Sequence, residues 1–296
     1  MIKNKSERKK TTKENKKIKK KKINTKLKKL LIFLLIIIMI TLIYAFFIEP
    51  HLLIVKEHKI VTEKIPDSFH GIKVVQFSDL HYGTTINKKN INKITKKINF
   101  LNPDIVVFTG DLIDEKTKPT KKDIKVLTDE LNNINSKLGK YAIIGNHDFY
   151  NKEYSTILYN ANFKLLKNDL DLIYYKDKTP IIIYGIDNYT FGEPNLEKLD
   201  DKYNNYYKIL LTHEPDYMKL LDKDFDLVLA GHSHNGQAKL PFAKPIWLPK
   251  GARYYYDEYY KINDTDLYVS NGIGTSIINI RLNSIPSISL FRITKK

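Results

Sequence analysis

With 296 residues, 42% of them hydrophobic, the chain is long enough for one large domain or two ordinary ones. Its formal net charge of +17 is unevenly placed, because residues 1–29 carry fourteen Lys and one Arg against two Glu, a net of +13 that leaves +4 for the remainder. The remainder is therefore nearly neutral and offers little to a polyanion, and the absence of Cys excludes disulfides and thiolate metal ligands.

An uncharged apolar run at residues 30–48 follows the basic segment, and only Thr41 and Tyr44 in it carry polar atoms. Its length is about that needed to cross a bilayer as a helix. A cleaved signal peptide is the main alternative, but no small-x-small site follows the run and the basic region is unusually long. The pattern therefore predicts a basic cytoplasmic tail at 1–29, a transmembrane anchor at 30–48 and an extracytoplasmic domain at 52–296. We expect the tail to be too polar to fold by itself and to contact anionic lipid headgroups.

Strand and helix patterns alternate through the first half of this domain. Short apolar runs predict strands, and apolar residues spaced three and four apart predict amphipathic helices. In chain order these patterns predict short strands at 52–56 and 59–62, a strand at 72–77, a helix at 87–101, a strand at 105–109, a helix at 121–138, a strand at 141–144 and a helix at 153–161.

The second half is richer in strands. Its patterns predict two antiparallel strands within 165–187, a helix at 195–203, a strand at 207–211, a short helix ending at 221, and strands at 226–230, 237–240, 266–270 and 288–293. The tyrosine-rich segment 254–260 has three interpretations: stacking on a substrate, contact with a membrane interface, or a solvated β-hairpin. Strand and helix patterns that alternate in the first half, followed mainly by strands in the second half, indicate one layered α/β domain.

Five of the apolar strands end in Asp, His or Asn. In open α/β sheets the carboxyl ends of the strands are where ligands bind. Taken singly, each ending has a structural explanation, such as a hydrogen-bonded His or a turn carboxylate, but five together favour a metal site. Two ions sharing one carboxylate would use seven oxygen and nitrogen donors: Asp79, His81, Asp111, Asn146, His213, His232 and His234.

These strand ends resemble, block by block, the calcineurin-like metallophosphoesterases. The D-x-H, G-D-x-x-D, G-N-H-[DE], H and G-H-x-H blocks of that family are similar to Asp79-Leu80-His81, Gly110-Asp111-Leu112-Ile113-Asp114, Gly145-Asn146-His147-Asp148, His213 and Gly231-His232-Ser233-His234. The similarity runs from about residue 71 to residue 281, and the strings at 78–83, 241–242 and 268–274 resemble a membrane-anchored bacterial branch. The resemblance implies a four-layer α/β/β/α sandwich preceded by one transmembrane helix.

The same resemblance implies a role for each residue. One ion would be held by Asp79, His81, Asp111 and His234, and Asp111 would bridge to a second ion held by Asn146, His213 and His232. The ions, divalent or trivalent Mn, Fe or Zn, would share a hydroxide that attacks a phosphomonoester or phosphodiester, with an envelope or phospholipid-type substrate expected from the anchor. Of the catalytic pair, His147 would protonate the leaving oxygen, and Asp148, like Asp114, would orient an imidazole or a turn.

The chain departs from the family pattern at three positions outside the proposed ligands. Asn235 and Asn271 stand where Gly and a basic residue are expected, and Ser287 stands where an acidic residue often follows the proline. These differences concern substrate recognition rather than metal binding.

Three alternative functions fit parts of the sequence. The Gly231–His234 block nearly matches the nucleophile elbow of serine hydrolases, but 237–241 has a strand pattern where a helix is required, and no His follows His234. A nuclease of the same fold would use the basic tail, but the predicted span separates that tail from the domain. A binding module without activity would be expected to lose ligands, whereas all seven are present. No nucleic-acid partner is therefore expected, and the oligomeric state is left open.

Overall fold

Residues 3–296 are described by a computed structural model, with side chains from Lys9 onward. They form two compact units, one ending at Phe46 and the other spanning Phe47–Lys296. The first unit is built on α1 (Lys3–Ile43), which includes both the basic segment and most of the apolar run. From Lys3 the basic segment is part of this helix, in keeping with the good helix propensity of Lys, and its side chains described from Lys9 onward are exposed.

The apolar part of this helix is a candidate membrane span. Within Lys9–His51 a window with a mean hydropathy of 3.2 is long and apolar enough to cross a bilayer. One such helix near the N-terminus fits a single-pass membrane protein.

The second unit is a layered α/β domain. Its described residues form, in chain order, β1 (Ile54–Thr62), β2 (Ile72–Phe77), α2 (Lys88–Phe100), β3 (Ile105–Phe108), α3 (Lys121–Asn132), β4 (Gly139–Ala142), α4 (Lys152–Asn160), β5 (Lys164–Leu165), β6 (Asp169–Ile173), β7 (Ile181–Gly185), β8 (Lys208–Thr212), β9 (Leu227–Ala230), β10 (Tyr259–Ile262), β11 (Thr265–Val269) and β12 (Ser287–Lys295). Two six-stranded mixed sheets result, in the orders β1-β12-β2-β3-β4-β5 and β10-β11-β9-β8-β7-β6. Within them β2, β3, β4 and β5 pair in parallel, as do β7, β8, β9 and β11.

Three hydrophobic cores separate four layers. Helices α2, α3 and α4 cover the outer face of the first sheet, where Val75 of β2 is buried among their apolar residues. The preceding residue of β2, Val74, points to the opposite face of the sheet and packs between the two sheets. The outer face of the second sheet buries Val228 of β9 against loops and the 3-10 turns Asp201–Tyr203 and Pro215–Lys219. The predicted four-layer sandwich is confirmed, and short turns rather than long helices form its fourth layer.

Several predicted elements differ from the structure. The helix predicted at 195–203 is wrong apart from its last turn. Leu196 and Leu199 lie in a loop and are buried there, and the loop is anchored by Asn195 N, which donates to Asn168 Oδ1 at 3.1 Å. The strand predicted at 237–240 is reduced to one isolated bridge between Ala238 and Leu282.

Other differences are smaller. The helix predicted at 121–138 ends at Asn132, after which Asn135 N donates to Asn99 Oδ1 at 2.8 Å and starts the turn into β4. The short helix predicted to end at 221 is the 3-10 turn Pro215–Lys219, and the two short strands predicted at 52–62 are the single strand β1. Strands β10 and β11 form an antiparallel hairpin, which agrees with the hairpin interpretation for the end of the tyrosine-rich segment.

Candidate metal centre

The loops that follow β2, β3, β4, β8 and β9 meet at one edge of the two sheets. Asp79 N donates to Gly110 O at 2.9 Å, and Gly231 N donates to His213 O at 3.0 Å, so neighbouring loops are joined through their backbones. Gln76 in β2 connects the sheets, because its Nε2 donates to Thr109 Oγ1 (3.0 Å) and to Ala230 O (2.9 Å) at the end of β9. The five predicted strand ends therefore converge on one place.

The backbone of this edge is strained at the predicted metal ligands. Five of the seven have left-handed backbone angles: Asp79 (φ 53°), His81 (42°), Asp111 (61°), His232 (68°) and His234 (49°). Each such residue costs about 1–2 kcal/mol relative to ordinary backbone. Strain of this kind persists only where the surroundings fix it, and it clusters at functional sites. Here it turns the residues of the D-x-H and G-H-x-H blocks toward a common point.

A first group of donors consists of Asp79, His81 and His234, all buried, with ligand atoms within 4.8 Å of one another. His234 Nε2 lies 3.1 Å from His81 Nε2 and 3.4 Å from Asp79 Oδ1. His232 N donates to Asp79 Oδ1 at 3.0 Å and so orients the carboxylate. Burial opposes ionisation of Asp79, but the neighbouring His234 imidazole outweighs it and holds the pKa of that carboxyl below its usual range.

A second group consists of Asp111, His213 and His232, again with ligand atoms within 4.8 Å of one another. His213 Nε2 lies 3.3 Å from Asp111 Oδ2 and 3.0 Å from Asn146 Oδ1, which adds the predicted amide ligand to the group.

Hydrogen bonds to carbonyl oxygens fix both imidazoles of this second group. His213 Nδ1 lies 2.7 Å from Thr109 O, which can only accept, so Nδ1 carries the proton and the Nε2 lone pair faces the site. His232 Nε2 lies 2.8 Å from Lys250 O, which by the same reasoning leaves Nδ1 of His232 free. This is the usual way in which a protein orients a metal-binding His.

Asp111, a member of the second group, also lies close to the first. Its Oδ2 lies 3.3 Å from His213 Nε2 and 3.5 Å from His81 Nε2, and its Oδ1 accepts from His147 N at 2.9 Å. Burial disfavours the carboxylate form of Asp111, but the neighbouring imidazoles of His213 and His147 outweigh it, and the pKa of Asp111 lies well below its ordinary value. A buried carboxylate between two sets of imidazoles has the position of a bridging ligand.

His147 lies beside this centre without joining either group. Its Nε2 is 4.0 Å from Asp111 Oδ2, and its Nδ1 accepts from Glu115 N at 3.1 Å. The Asp114 carboxylate sits behind two imidazoles, with Oδ2 at 3.7 Å from His81 Nδ1 and 3.9 Å from His147 Nδ1. Asp114 therefore lies next to both rings without a hydrogen bond to either, and His81, Asp114 and His147 form a further set of donors with ligand atoms within 4.8 Å of one another.

The carboxylate of Asp148 is occupied by backbone groups. It accepts from the N–H groups of Asp111 (2.6 Å), Leu112 (2.9 Å) and Gly145 (3.0 Å). Burial and the nearby Asp111 charge raise the pKa of Asp148 to about 7. The side chain thus holds the turn on which Asp111 lies.

The G-H-x-H block contains no exposed nucleophile in the described chain. Ser233 is buried, and its Oγ donates to Tyr256 O at 3.0 Å, which removes the serine-hydrolase alternative on a firmer basis than the strand pattern at 237–241. Asn235, which replaces an expected Gly, has a φ of 52°, and Asn is one of the few other residues that tolerate this conformation.

One charged residue at the centre has no counterpart in the predicted site. Arg281 is fully buried and donates to the carbonyl oxygens of Asn271 (2.6 Å) and Ser284 (3.0 Å), and its Nη2 lies 3.2 Å from His234 Nδ1. Burial lowers the pKa of Arg281 to about 10. The sequence signal for this residue is a single Arg within the mainly apolar stretch 277–282, and that pattern alone does not indicate which groups the Arg contacts.

Comparison with known proteins places this centre in a family context. The model of the calcineurin-like phosphoesterase family matches residues 72–236, a range that includes all seven predicted metal ligands. The uncharacterized metallophosphoesterase YkuE of Bacillus subtilis is 33% identical over 256 residues, covering 84% of this chain and 88% of YkuE.

Two further proteins extend the comparison. A transmembrane protein with metallophosphoesterase domain from Danio rerio is 29% identical over 243 residues, covering 76% of this chain but only 54% of the fish protein. The crystal structure of the calcineurin-like phosphoesterase YfkN from Bacillus subtilis matches with a TM-score of 0.42 and 12% identity, covering 69% of this chain and 82% of the YfkN chain. This chain therefore spans most of YkuE and about half of the fish relative.

Proposed function

Because the chain belongs to the calcineurin-like phosphoesterase family, we propose that it hydrolyses phosphoesters with two metal ions. The single observation that carries this proposal is the position of Asp111, whose Oδ2 lies within 3.5 Å of imidazole nitrogens in both donor groups. One ion is assigned to Asp79, His81, Asp111 and His234, and the other to Asp111, Asn146, His213 and His232.

The donors present fit such ions. Two buried carboxylates lie among imidazoles, with the ligand atoms of each group within 4.8 Å of one another, and buried charges of this kind need a partner. His81 Nδ1 is buried with no hydrogen-bond partner among the described residues, 3.7 Å from Asp114 Oδ2, and His81 Nε2 lies 3.1 Å from His234 Nε2 in the first group. Oxygen and nitrogen donors without thiolate suit Mn, Fe or Zn.

When bound, two cations lower the pKa of water and neutralise charge that builds up on phosphate oxygens. The chain's own contribution is to fix the donors in place. Thr109 O and Lys250 O set the tautomers of His213 and His232, and the strained backbone turns Asp79 and Asp111 into the site.

His147 is assigned the proton transfer to the leaving oxygen. Its Nδ1 accepts from Glu115 N, so in the neutral ring the proton is on Nε2, the atom that faces Asp111 Oδ2 at 4.0 Å. A positioned general acid contributes about 10²–10⁴-fold to such a reaction. Asp148 takes a positioning role, because its three hydrogen bonds hold the backbone of Asp111 and Gly145.

The chain is proposed to act at the cell membrane, as a basic tail (1–29), a single span (30–48) and an extracytoplasmic catalytic domain (52–296). The fourteen Lys of the tail support a cytoplasmic N-terminus under the positive-inside rule. Anchoring supports a phosphoester of the envelope as the substrate, with the tail in contact with anionic headgroups. The net charge of +4 outside the tail gives little reason to propose nucleic acid as a partner.

Turnover of bis-p-nitrophenyl phosphate by the full-length chain, loaded in turn with Mn, Fe or Zn, tests this function. Asp111→Ala removes the shared ligand and should abolish turnover, whereas Asp129→Ala, a matched change on the exposed face of α3, should keep it. Equal inactivity of all three proteins in every metal would remove the enzyme proposal. A preference for DNA over every envelope phosphoester offered would favour the nuclease alternative.

The proposed topology has a separate test in intact cells. Protease added outside should cleave the domain and leave the tail intact. Protection of the domain would overturn the orientation without affecting the metal assignment.

A further inference from the structure

A cavity of about 450 Å³ opens beside the proposed metal residues and has two unlike sides. One side is formed by the centre itself, including His81, Asp111 and His147. The other side is formed by apolar residues of two loops, Ile246 and Trp247 from one and Ile277 and Ile278 from the other. A phosphoester that fills this cavity would meet donors at one end and hydrocarbon at the other.

The apolar side continues onto the surface. Ile246 is 82% exposed, Trp247, Ile277 and Ile278 are each more than half exposed, and Phe242 nearby in the same loop is fully exposed. We call these five residues the apolar rim. Single exposed apolar residues are ordinary, but a cluster of large ones at the mouth of a site marks a binding surface.

The backbone holds the rim outward at a cost. Phe242 (φ 61°) and Ile277 (φ 66°) both have left-handed backbone, and for a β-branched residue such as Ile277 this is a true outlier. Backbone strain that keeps a hydrophobic side chain exposed indicates that the side chain has a function at the surface.

One residue fixes the second loop of the rim to the metal-site strand end. Gln237 Nε2 donates to Ser276 O (2.9 Å) and Ile278 O (3.0 Å), and Gln237 Oε1 accepts from Ser276 N (2.8 Å). The second loop of the rim is therefore held in a fixed relation to His234, three residues before Gln237.

The first loop of the rim is basic in sequence. Between residues 239 and 253 the chain carries Lys239, Lys244, Lys250 and Arg253 and no acidic residue, in contrast to the near-neutral domain. Asp257 pairs with Lys239 at 3.4 Å, and Glu115 is the acidic residue of the cavity lining outside the proposed ligands. Aromatic and aliphatic residues interleaved with Lys and Arg are typical of protein segments that lie in the headgroup region of an anionic bilayer. The chain also carries a candidate membrane span in the residues just before the domain.

We propose that the apolar rim docks on an anionic lipid bilayer and that the substrate is a lipid phosphoester taken from that bilayer. Its hydrocarbon lies along Ile246, Trp247, Ile277 and Ile278, and its phosphate reaches the donors at the other end of the cavity. The substrate part of this proposal rests on the proposed function, whereas the docking part does not require catalysis.

Docking has a direct spectroscopic test, because Trp247 is the only Trp in the chain. Full-length protein is reconstituted into phosphatidylglycerol vesicles whose acyl chains are brominated, and the Trp247 emission is compared with that in unbrominated vesicles. We expect quenching that weakens in phosphatidylcholine and in Phe242→Ser. Phe100→Ser is the matched control, since Phe100 is 89% exposed at the end of α2 and outside the cavity lining, and it should be quenched like the wild type. Unquenched wild-type emission, or equal quenching in Phe242→Ser, would overturn the docking.

The substrate class is tested with phosphoesters that share one headgroup and differ in acyl length. While the added carbons contact the rim, KM should fall by up to about fourfold per methylene. Ile278→Ser should flatten this dependence. A KM independent of chain length, in a protein that hydrolyses bis-p-nitrophenyl phosphate, would overturn the lipid assignment and leave the proposed function standing. Loss of all turnover together with quenched Trp247 would remove the proposed function and keep the docking.

Discussion

Gly145→Ala should disable the metal centre through a single methyl group. A Cβ at this position would lie 2.1 Å from Asp111 Oδ1 and 2.5 Å from Asp111 N. Ordinary contacts of carbon are about 3.5 Å, so the carboxylate has to move by more than about 1 Å. Because Asp111 is the proposed shared ligand, both donor groups lose it together. A displacement of this size costs about 10²-fold in turnover, and we expect at least that loss with a lower metal content.

The matched control is Gly71→Ala, at the turn before β2. Its φ is +80°, and a Cβ there meets nothing within 4 Å, so the change strains the backbone without touching the centre. It should lower the melting temperature, in keeping with a cost of about 1–2 kcal/mol, and leave turnover per folded molecule unchanged. Turnover, metal content and melting temperature are measured for both variants. Wild-type metal content and turnover in Gly145→Ala would refute the placement of Asp111.

Four further changes separate roles within the chain. Asn146→Ala should weaken metal binding, whereas His147→Ala should keep both ions and lose about 10²–10⁴-fold in turnover. Metal content and turnover are measured for both variants. Equal loss of metal in both would contradict the assignment of Asn146 to metal binding and His147 to proton transfer. Asp148→Asn should cost about 2–3 kcal/mol of stability in thermal or denaturant unfolding, because an amide cannot accept all three buried N–H groups; unchanged stability would contradict this. Burial lowers the pKa of His58 despite the nearby Glu258 charge. As the pH falls, His58 is therefore protonated in the unfolded chain before it is protonated in the folded one. The stability that the neutral, buried imidazole allows is present above pH 6.5 and is lost as the pH falls below it. His58→Gln should therefore flatten the melting-temperature profile below pH 6.5, and an unaltered profile would count against this linkage.

Residues that follow buried strands were predictable because their chemistry is local. Asp79, Asp111 and His213 each come after a short apolar run that predicts a strand, and parallel strands bring their carboxyl ends to one edge of the sheet. The layered α/β fold followed from the same alternation of strand and helix patterns.

Features set by distant contacts were not predictable. Leu196 and Leu199 have helical spacing, but a loop anchored on Asn168 buries them instead. Arg281 is an ordinary Arg in sequence and becomes part of the centre only when the chain around Gly274 and Ser284 encloses it. The apolar rim likewise joins two loops about thirty residues apart in sequence, which no local pattern brings together.

The number of metal ions bound per chain tests the central claim most directly. Full-length protein loaded with Mn, Fe or Zn and freed of excess metal is measured by elemental mass spectrometry against protein concentration. We predict two ions per chain for the wild type, one for His213→Ala and one for His234→Ala, because each variant damages a different donor group. A wild-type chain that binds no ion, or variants that keep both ions, would contradict the account.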